Sequence, residues 1–146
     1  MKYSTKLSDA VHILVLIALN PLKNLTSNTI AESIKTNPSF VRQIMSKLKK
    51  HHIIISVHGH PYPELARKAS EITLFDVYKA IEGNKPLLHL DTHTNPECGV
   101  GINIQLALQD IYDEVQMCAE KTMKNITLQD IINQYKEKIS EKVDLL

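Results

Sequence analysis

The thirty residues from Thr26 to Ile55, TSNTIAESIKTNPSFVRQIMSKLKKHHIII, leave this chain few ways to fold. Their spacing predicts a helix, a tight turn, a second helix and the first strand of a hairpin. Ser27 or Asn28 is placed to cap the first helix, where a short side-chain oxygen accepts an orphan backbone N–H. Ile30, Ala31 and Ile34 give that helix one apolar face. Lys35-Thr36-Asn37 forms the turn. Pro38 disfavours the α region for Asn37 before it and suits the first turn of a new helix, where its missing N–H costs nothing. Phe40, Val41, Ile44, Met45 and Leu48 then recur at helical spacing.

The second helix carries what a reader of the DNA major groove needs. Asn37, Ser39, Arg42, Gln43 and Ser46 are side chains of the kind that pair with base edges. Lys47, Lys49 and Lys50 can neutralise phosphates. An ordinary amphipathic helix with a solvated basic face has the same pattern, so its flanks decide. Ile53–Val57 is β-branched and strand-like. Gly59-His60-Pro61-Tyr62-Pro63 is turn chemistry, and Glu64–Lys68 can return as a second strand. A helix-turn-helix followed at once by a hairpin is a winged helix. Its tip, with His58, His60 and Tyr62, is expected along the minor groove or backbone; a plain exposed turn is the alternative. Ser27, Asn28 and Phe40 complete the expected DNA-contacting set.

Charge supports this reading. Residues 1–72 hold ten Lys/Arg against four Asp/Glu, a net of +6; residues 73–146 hold seven against twelve, a net of −5. A basic half joined to an acidic half suggests that one end meets a polyanion.

Elsewhere, Leu7–Leu19 is expected as a buried helix with Leu7, Val11, Leu14 and Ala18 on one face. Ala10, Ile13 and Ile17 lie beside them, and His12 is a partly covered surface residue. Asn20-Pro21 ends it. Aromatics make up 5% of the chain and Trp is absent, so the core must be aliphatic. Ile72–Gly83 is a bounded helix: Thr73 caps it, Asp76 completes a capping-box variant, and Gly83 ends it in the left-handed conformation. Leu74, Val77, Tyr78 and Ile81 form its core face. A loop follows to Glu97. From about Gly101 to Lys124 a long helix spaces Ile104, Leu108, Ile111, Val115, Cys118 and Thr122 by fours and threes, a heptad seam. A second copy of the chain is the expected partner; packing on the chain's own first helix is the alternative. A last helix starts at Thr127 with Leu128, Ile131, Ile132 and Tyr135 on one face, and the remainder is expected to fray.

The architecture expected is mainly α with a small β-hairpin. Residues 1–83 form a winged helix-turn-helix DNA-binding domain, 84–100 a linker loop, and 101–146 a dimerisation helix and a C-terminal helix. The longest apolar run, Val11–Leu19, is broken by His12 and too short to span a bilayer, and no signal peptide is evident. Two cysteines make no disulfide framework, so a cytoplasmic protein with free thiols is expected.

The order of a short N-terminal helix, NPSFVRQIMSKLKK, a wing, ITLFDVYKAIEG, a cysteine heading a long helix, then NITLQDIINQY resembles the Rrf2-type winged-helix regulators, the IscR, NsrR and CymR group, over roughly residues 1–136. The resemblance implies a homodimer that binds double-stranded operator DNA and usually represses, with Pro38–Lys50 in the major groove and Val57–Leu65 as the wing. Two departures stand out. Family wings are usually glycine-rich, whereas HGHPYPEL has only Gly59. Cluster-binding members carry three closely spaced cysteines ahead of the long helix; HLDTHTNPECGVG has only Cys98. Iron–sulfur clusters are held mainly by thiolates, so the clusterless branch is expected, with no cofactor; Cys98 with His89 and His93 is a three-ligand site on paper only. Cys98 heads a helix, a position that favours reactive thiols, and is a redox candidate; a cysteine without sensory role is the plain alternative. Cys118, on the seam, is expected as a small buried hydrophobe.

An enzyme would need a Gly-rich phosphate loop, a metal pair at helical spacing, or a nucleophile with a placed base, and none is evident. Control by a small-molecule or protein ligand, and a protein-binding adaptor, are the remaining alternatives. The basic half with Arg42 and Lys47 speaks against the adaptor.

Overall fold

Helix α1 (Lys6–Leu19) lies at the centre of a fold continued by α2 (Ser27–Ile34), α3 (Pro38–Lys50), a hairpin of β1 (Ile54–Ile55) and β2 (Glu64–Leu65), then α4 (Leu74–Glu82), α5 (Gly99–Lys124) and α6 (Leu128–Asp144). The computed structural model describes residues 4–20, 24–57 and 59–144. Pro21 and His58, both assigned roles from the sequence, lie outside them.

In α1 the buried face is Ala10, Ile13, Leu14 and Ile17. Leu7, Val11 and Ala18 sit at its edges and are only partly covered. Asn20 closes the helix in the left-handed region at φ 45°, its N–H donating to the Leu16 carbonyl, a conformation Asn tolerates. His12 is exposed, and its Nε2 lies 3.0 Å from Ser33 Oγ on α2.

The cap of α2 is Thr26 rather than Ser27 or Asn28. Thr26 is extended, and its Oγ1 accepts the Thr29 N–H at 3.2 Å. Ser27 has already entered the helix. Lys35 then turns the chain at φ 59°. Asn37 caps α3, its Oδ1 accepting the Phe40 N–H at 2.8 Å, with Pro38 at the first helical position. After α3, His51 and His52 leave the helix, His52 at φ 57°.

The wing is shorter than expected. Among the described residues only Ile54 and Ile55 pair with Leu65 and Glu64, because Pro61 and Pro63 have no N–H to give to a ladder. The tip is instead pinned inward: the Leu25 N–H donates to the Pro61 carbonyl at 2.8 Å, and Pro63 is buried. The second strand, expected over Glu64–Lys68, stops at Leu65, and a 3-10 turn, Ala69–Glu71, follows residues 66–68.

Helix α4 has the full capping box of Thr73 and Asp76. Gly83 ends it at φ 63° but ψ −126°, a backbone region open to glycine and distinct from the left-handed helical well. Its buried face is Val77, Tyr78, Ala80 and Ile81, with Leu74 half-buried.

One aliphatic core joins Ile13 and Leu14 of α1, Ile30 of α2, Val41, Ile44 and Leu48 of α3, Ile54, Ile72, Val77, and Leu128 and Ile132 of α6. The first turns of α6 therefore belong with the core of residues 1–83, which the division at 83 and 100 had separated. The attachment is specific. Thr73 and Thr127 face each other in an isolated antiparallel bridge, with the Leu74 N–H donating to Ile126 (2.8 Å) and the Leu128 N–H to Ile72 (2.7 Å). Beyond Ile132, α6 stays helical to Asp144 instead of fraying, with Tyr135, Ile139 and Val143 exposed.

Helix α5 starts at Gly99, two residues before the expected Gly101, and packs mainly on α4. None of its described side chains is buried.

Candidate nucleic-acid interface

Amphipathic spacing divides α3 into two faces. Val41, Ile44 and Leu48 are buried, and Phe40 and Met45 lean on the same core. Ser39, Arg42, Gln43, Ser46, Lys49 and Lys50 are all exposed, on the opposite side. Arg42, Ser46 and Lys49 form one wall of a groove of about 490 Å³; Ser56, Val57, Gly59, His60 and Pro61 of the wing form the other, and Thr26 and Ser27 close one end. A guanidinium, an ammonium and hydroxyls thus share a groove that no carboxylate of the described residues lines. Such a set matches base edges and a phosphate backbone.

The expected contact residues separate accordingly. Ser27, Arg42, Ser46, Lys49 and His60 are brought together in the groove. Ser39, Gln43 and Lys50 lie on the exposed face of α3, and Asn28 on the exposed side of α2. Tyr62 is exposed at 56% and does not line the groove. Phe40 is half-buried against the core, and Asn37 Oδ1 is engaged in capping α3. Lys47 points away from this face, its Nζ donating to the Ile81 carbonyl on α4 at 3.2 Å. Thr26 and Ser56 also line the groove and were missed. The sequence signal for Thr26 was available, since Thr is also among the preferred N-cap residues; Ser56 carried none.

The α5 seam is uncovered. Ile104, Ile111 and Val115 are 47%, 54% and 44% exposed, Leu108 is half-buried, and Cys118 and Thr122 are exposed. Cys118 is therefore not buried within its own chain. Val115, Cys118 and Thr122 line an apolar groove with Leu74 and Ile126.

Cys98 caps α5, its Sγ accepting the Gly101 N–H at 3.4 Å, and its side chain is exposed. Among the described residues no three His, Cys, Asp or Glu side chains are grouped to hold a metal ion. His93 lies against Asp91, with Nδ1 3.6 Å from Oδ1, and the set Cys98, His89 and His93 is not assembled. No described helix is long and apolar enough to cross a membrane.

Comparison with known proteins agrees with this geometry. Residues 3–134 match the family model Rrf2, described as an iron-dependent transcriptional regulator. The chain is 35% identical over 130 residues to a protein named as the HTH-type transcriptional regulator YwnA of Bacillus subtilis (strain 168), covering 89% of this chain and 96% of that one. A crystal structure of a protein named for DNA binding is also 35% identical, with a TM-score of 0.70 over 87% of this chain and 98% of that chain. CymR, the global cysteine regulator of B. subtilis, shares the fold at 18% identity, with a TM-score of 0.64 over 91% of this chain and 97% of that one.

Proposed function

Because this chain belongs to the Rrf2 family of transcriptional regulators, which are not enzymes, we propose that it works as a cytoplasmic homodimeric repressor of operator DNA. The observation that carries the DNA reading is the exposed face of α3. Arg42, Ser46 and Lys49 face the wing across a groove lined by no carboxylate of the described residues, while the apolar side of the same helix is anchored in the core. Arg42, Gln43 and Ser39 read bases; Lys49 and Lys50 hold phosphates.

Dimerisation rests on the uncovered apolar seam of α5. Two copies paired through it would present two recognition helices to half-sites roughly 34 Å apart. The family description includes iron, but the donors of this chain do not fit a cluster. Its two thiols stand twenty residues apart on one helix, about 30 Å at the rise of an α-helix, and Cys98 alone occupies the loop end. The thiol response runs through Cys98, because a dimer paired on the α5 seam covers Cys118.

The test is binding of genomic operator fragments across a salt series. A DNA reader loses affinity steeply and log-linearly with salt. Flat salt dependence, or no selection of genomic sequence, would favour the protein-binding adaptor. Genome-wide capture of bound DNA would then name the regulated genes.

A further inference from the structure

Residues 84–97 form no regular structure, and apolar burial does little to hold them: Leu87 and Leu88 remain 47% and 40% exposed. Two residues tie the start of this loop down. Tyr78, on the buried face of α4, donates its hydroxyl hydrogen to the Lys85 carbonyl at 2.9 Å. Gln116, half-buried on α5, accepts the Leu87 N–H on Oε1 at 2.9 Å. Its Nε2 donates to the Tyr78 hydroxyl at 3.1 Å and to Glu120 at 3.2 Å. Three of these hydrogen bonds link loop, α4 and α5 through two side chains, and the bond to Glu120 holds Gln116 in place within α5. Beyond this point the loop stands off α5 over a cleft of about 320 Å³, whose walls include Leu88, His89, Tyr112, Asp113 and Gln116.

One turn further along α4 from Tyr78, the Ile81 carbonyl accepts Lys47 Nζ from α3. We propose that Tyr78 and Gln116 are positioning residues for the DNA-reading helix. They latch the 84–97 loop to the last turns of α4, and α4 sets α3 through Ile81 and Lys47. Displacing the loop, by a molecule in the cleft or by a change at its far end, breaks the latch and loosens the C-terminal half of α3. This rests on the DNA-binding reading for its consequence but not for its detection, because the latch is measured without DNA.

Full-length Tyr78→Phe and Gln116→Leu are compared with wild type by amide hydrogen exchange. Tyr78→Phe keeps the buried ring and removes only the hydroxyl. The loss of two hydrogen bonds in Tyr78→Phe and of three in Gln116→Leu should speed exchange at Leu87 by about tenfold or more. Exchange should also quicken in residues 46–51 at the end of α3, with amides of α1 unchanged. A uniform rise across α1, loop and α3 would mean only lost stability and would overturn the proposal, as would an unchanged Leu87 or an unchanged α3. DNA affinity of both variants should fall severalfold. Wild type that fails to bind any DNA would sink the functional reading while leaving the exchange result to decide the latch; variants with a loosened α3 but wild-type affinity would overturn the positioning role.

Discussion

Thr73 and Thr127 lie opposite each other in a two-residue antiparallel bridge, and each begins a helix in the same way. The Thr73 hydroxyl accepts the Asp76 N–H while Asp76 Oδ2 accepts the Thr73 N–H, both at 3.0 Å. Thr127 and Asp130 repeat the exchange at 3.1 and 2.9 Å. The sequences ITLFD and ITLQD are two copies of one device, placed back to back. Through it the C-terminal helices are fixed to the N-terminal unit, and Ile72 and Leu128 fill the core beside it.

The device predicts a graded response. Thr127→Ala removes one cap and should cost about 1 kcal/mol of stability. Leu128→Ala opens a cavity at a fully covered site and should cost roughly 2–5 kcal/mol. Urea unfolding followed by circular dichroism measures both. Equal losses for the two would mean that the junction holds by its caps and not by its apolar contact.

Much of this fold was legible because local signals agreed with each other. NPSF, with a capper before proline, placed the start of α3, and ITLFD placed the start of α4. What escaped were features set by distant partners. The two ITLxD segments are each readable alone, but nothing local says that residues 72–74 meet residues 126–128. The wing looked longer because its β-branched run continues to Val57, whereas pairing ends where Pro61 and Pro63 withdraw their N–H groups. Lys47 looked like its neighbours Lys49 and Lys50; only the position of Ile81 distinguishes it. Cys118 looked buried because a seam implies a partner, and the single chain leaves it exposed.

For DNA binding, Arg42→Ala should lose about 1–3 kcal/mol and relax preference at one operator position. Lys49→Ala and Lys50→Ala should weaken all sequences alike and each reduce the salt slope by about one. Lys47→Ala, whose ammonium is engaged by the Ile81 carbonyl, should change the salt slope less than either. Fluorescence anisotropy on a matched panel of operator variants decides this. A full unit of slope lost in Lys47→Ala would return that residue to the phosphate-contacting set.

For assembly, Ile111→Glu puts a charge at the middle of the α5 seam, on a side chain already 54% exposed in the single chain. The monomer should therefore keep its fold, since the core does not use Ile111, while the dimer should not form. Sedimentation velocity should show one species at the monomer mass with native helicity. A stable dimer from this variant would place the interface elsewhere, and unfolded protein would show that the seam packs within its own chain.

The sensing prediction follows from where the two thiols sit. Protein purified without oxygen should be colourless and free of bound iron and sulfide, because the loop ahead of α5 offers one cysteine; a brown protein would overturn the clusterless reading. A disulfide between Cys98 and Cys118 of one chain is ruled out by geometry: about 30 Å of helix separates them, and a disulfide needs Cα atoms within about 7 Å. A sulfenic acid formed on Cys98 can therefore be resolved as a disulfide only by a thiol from outside the chain. Mild peroxide should weaken operator binding of wild type and of Cys118→Ser, and leave Cys98→Ser unaffected, with mass spectrometry locating the added oxygen or the mixed disulfide on Cys98. The position matters because Cys98 caps α5 by accepting the Gly101 N–H, so modifying it disturbs the junction of loop and helix. Equal loss of binding in wild type and Cys98→Ser, or no loss in either, would remove Cys98 as the sensor and favour control by a bound ligand.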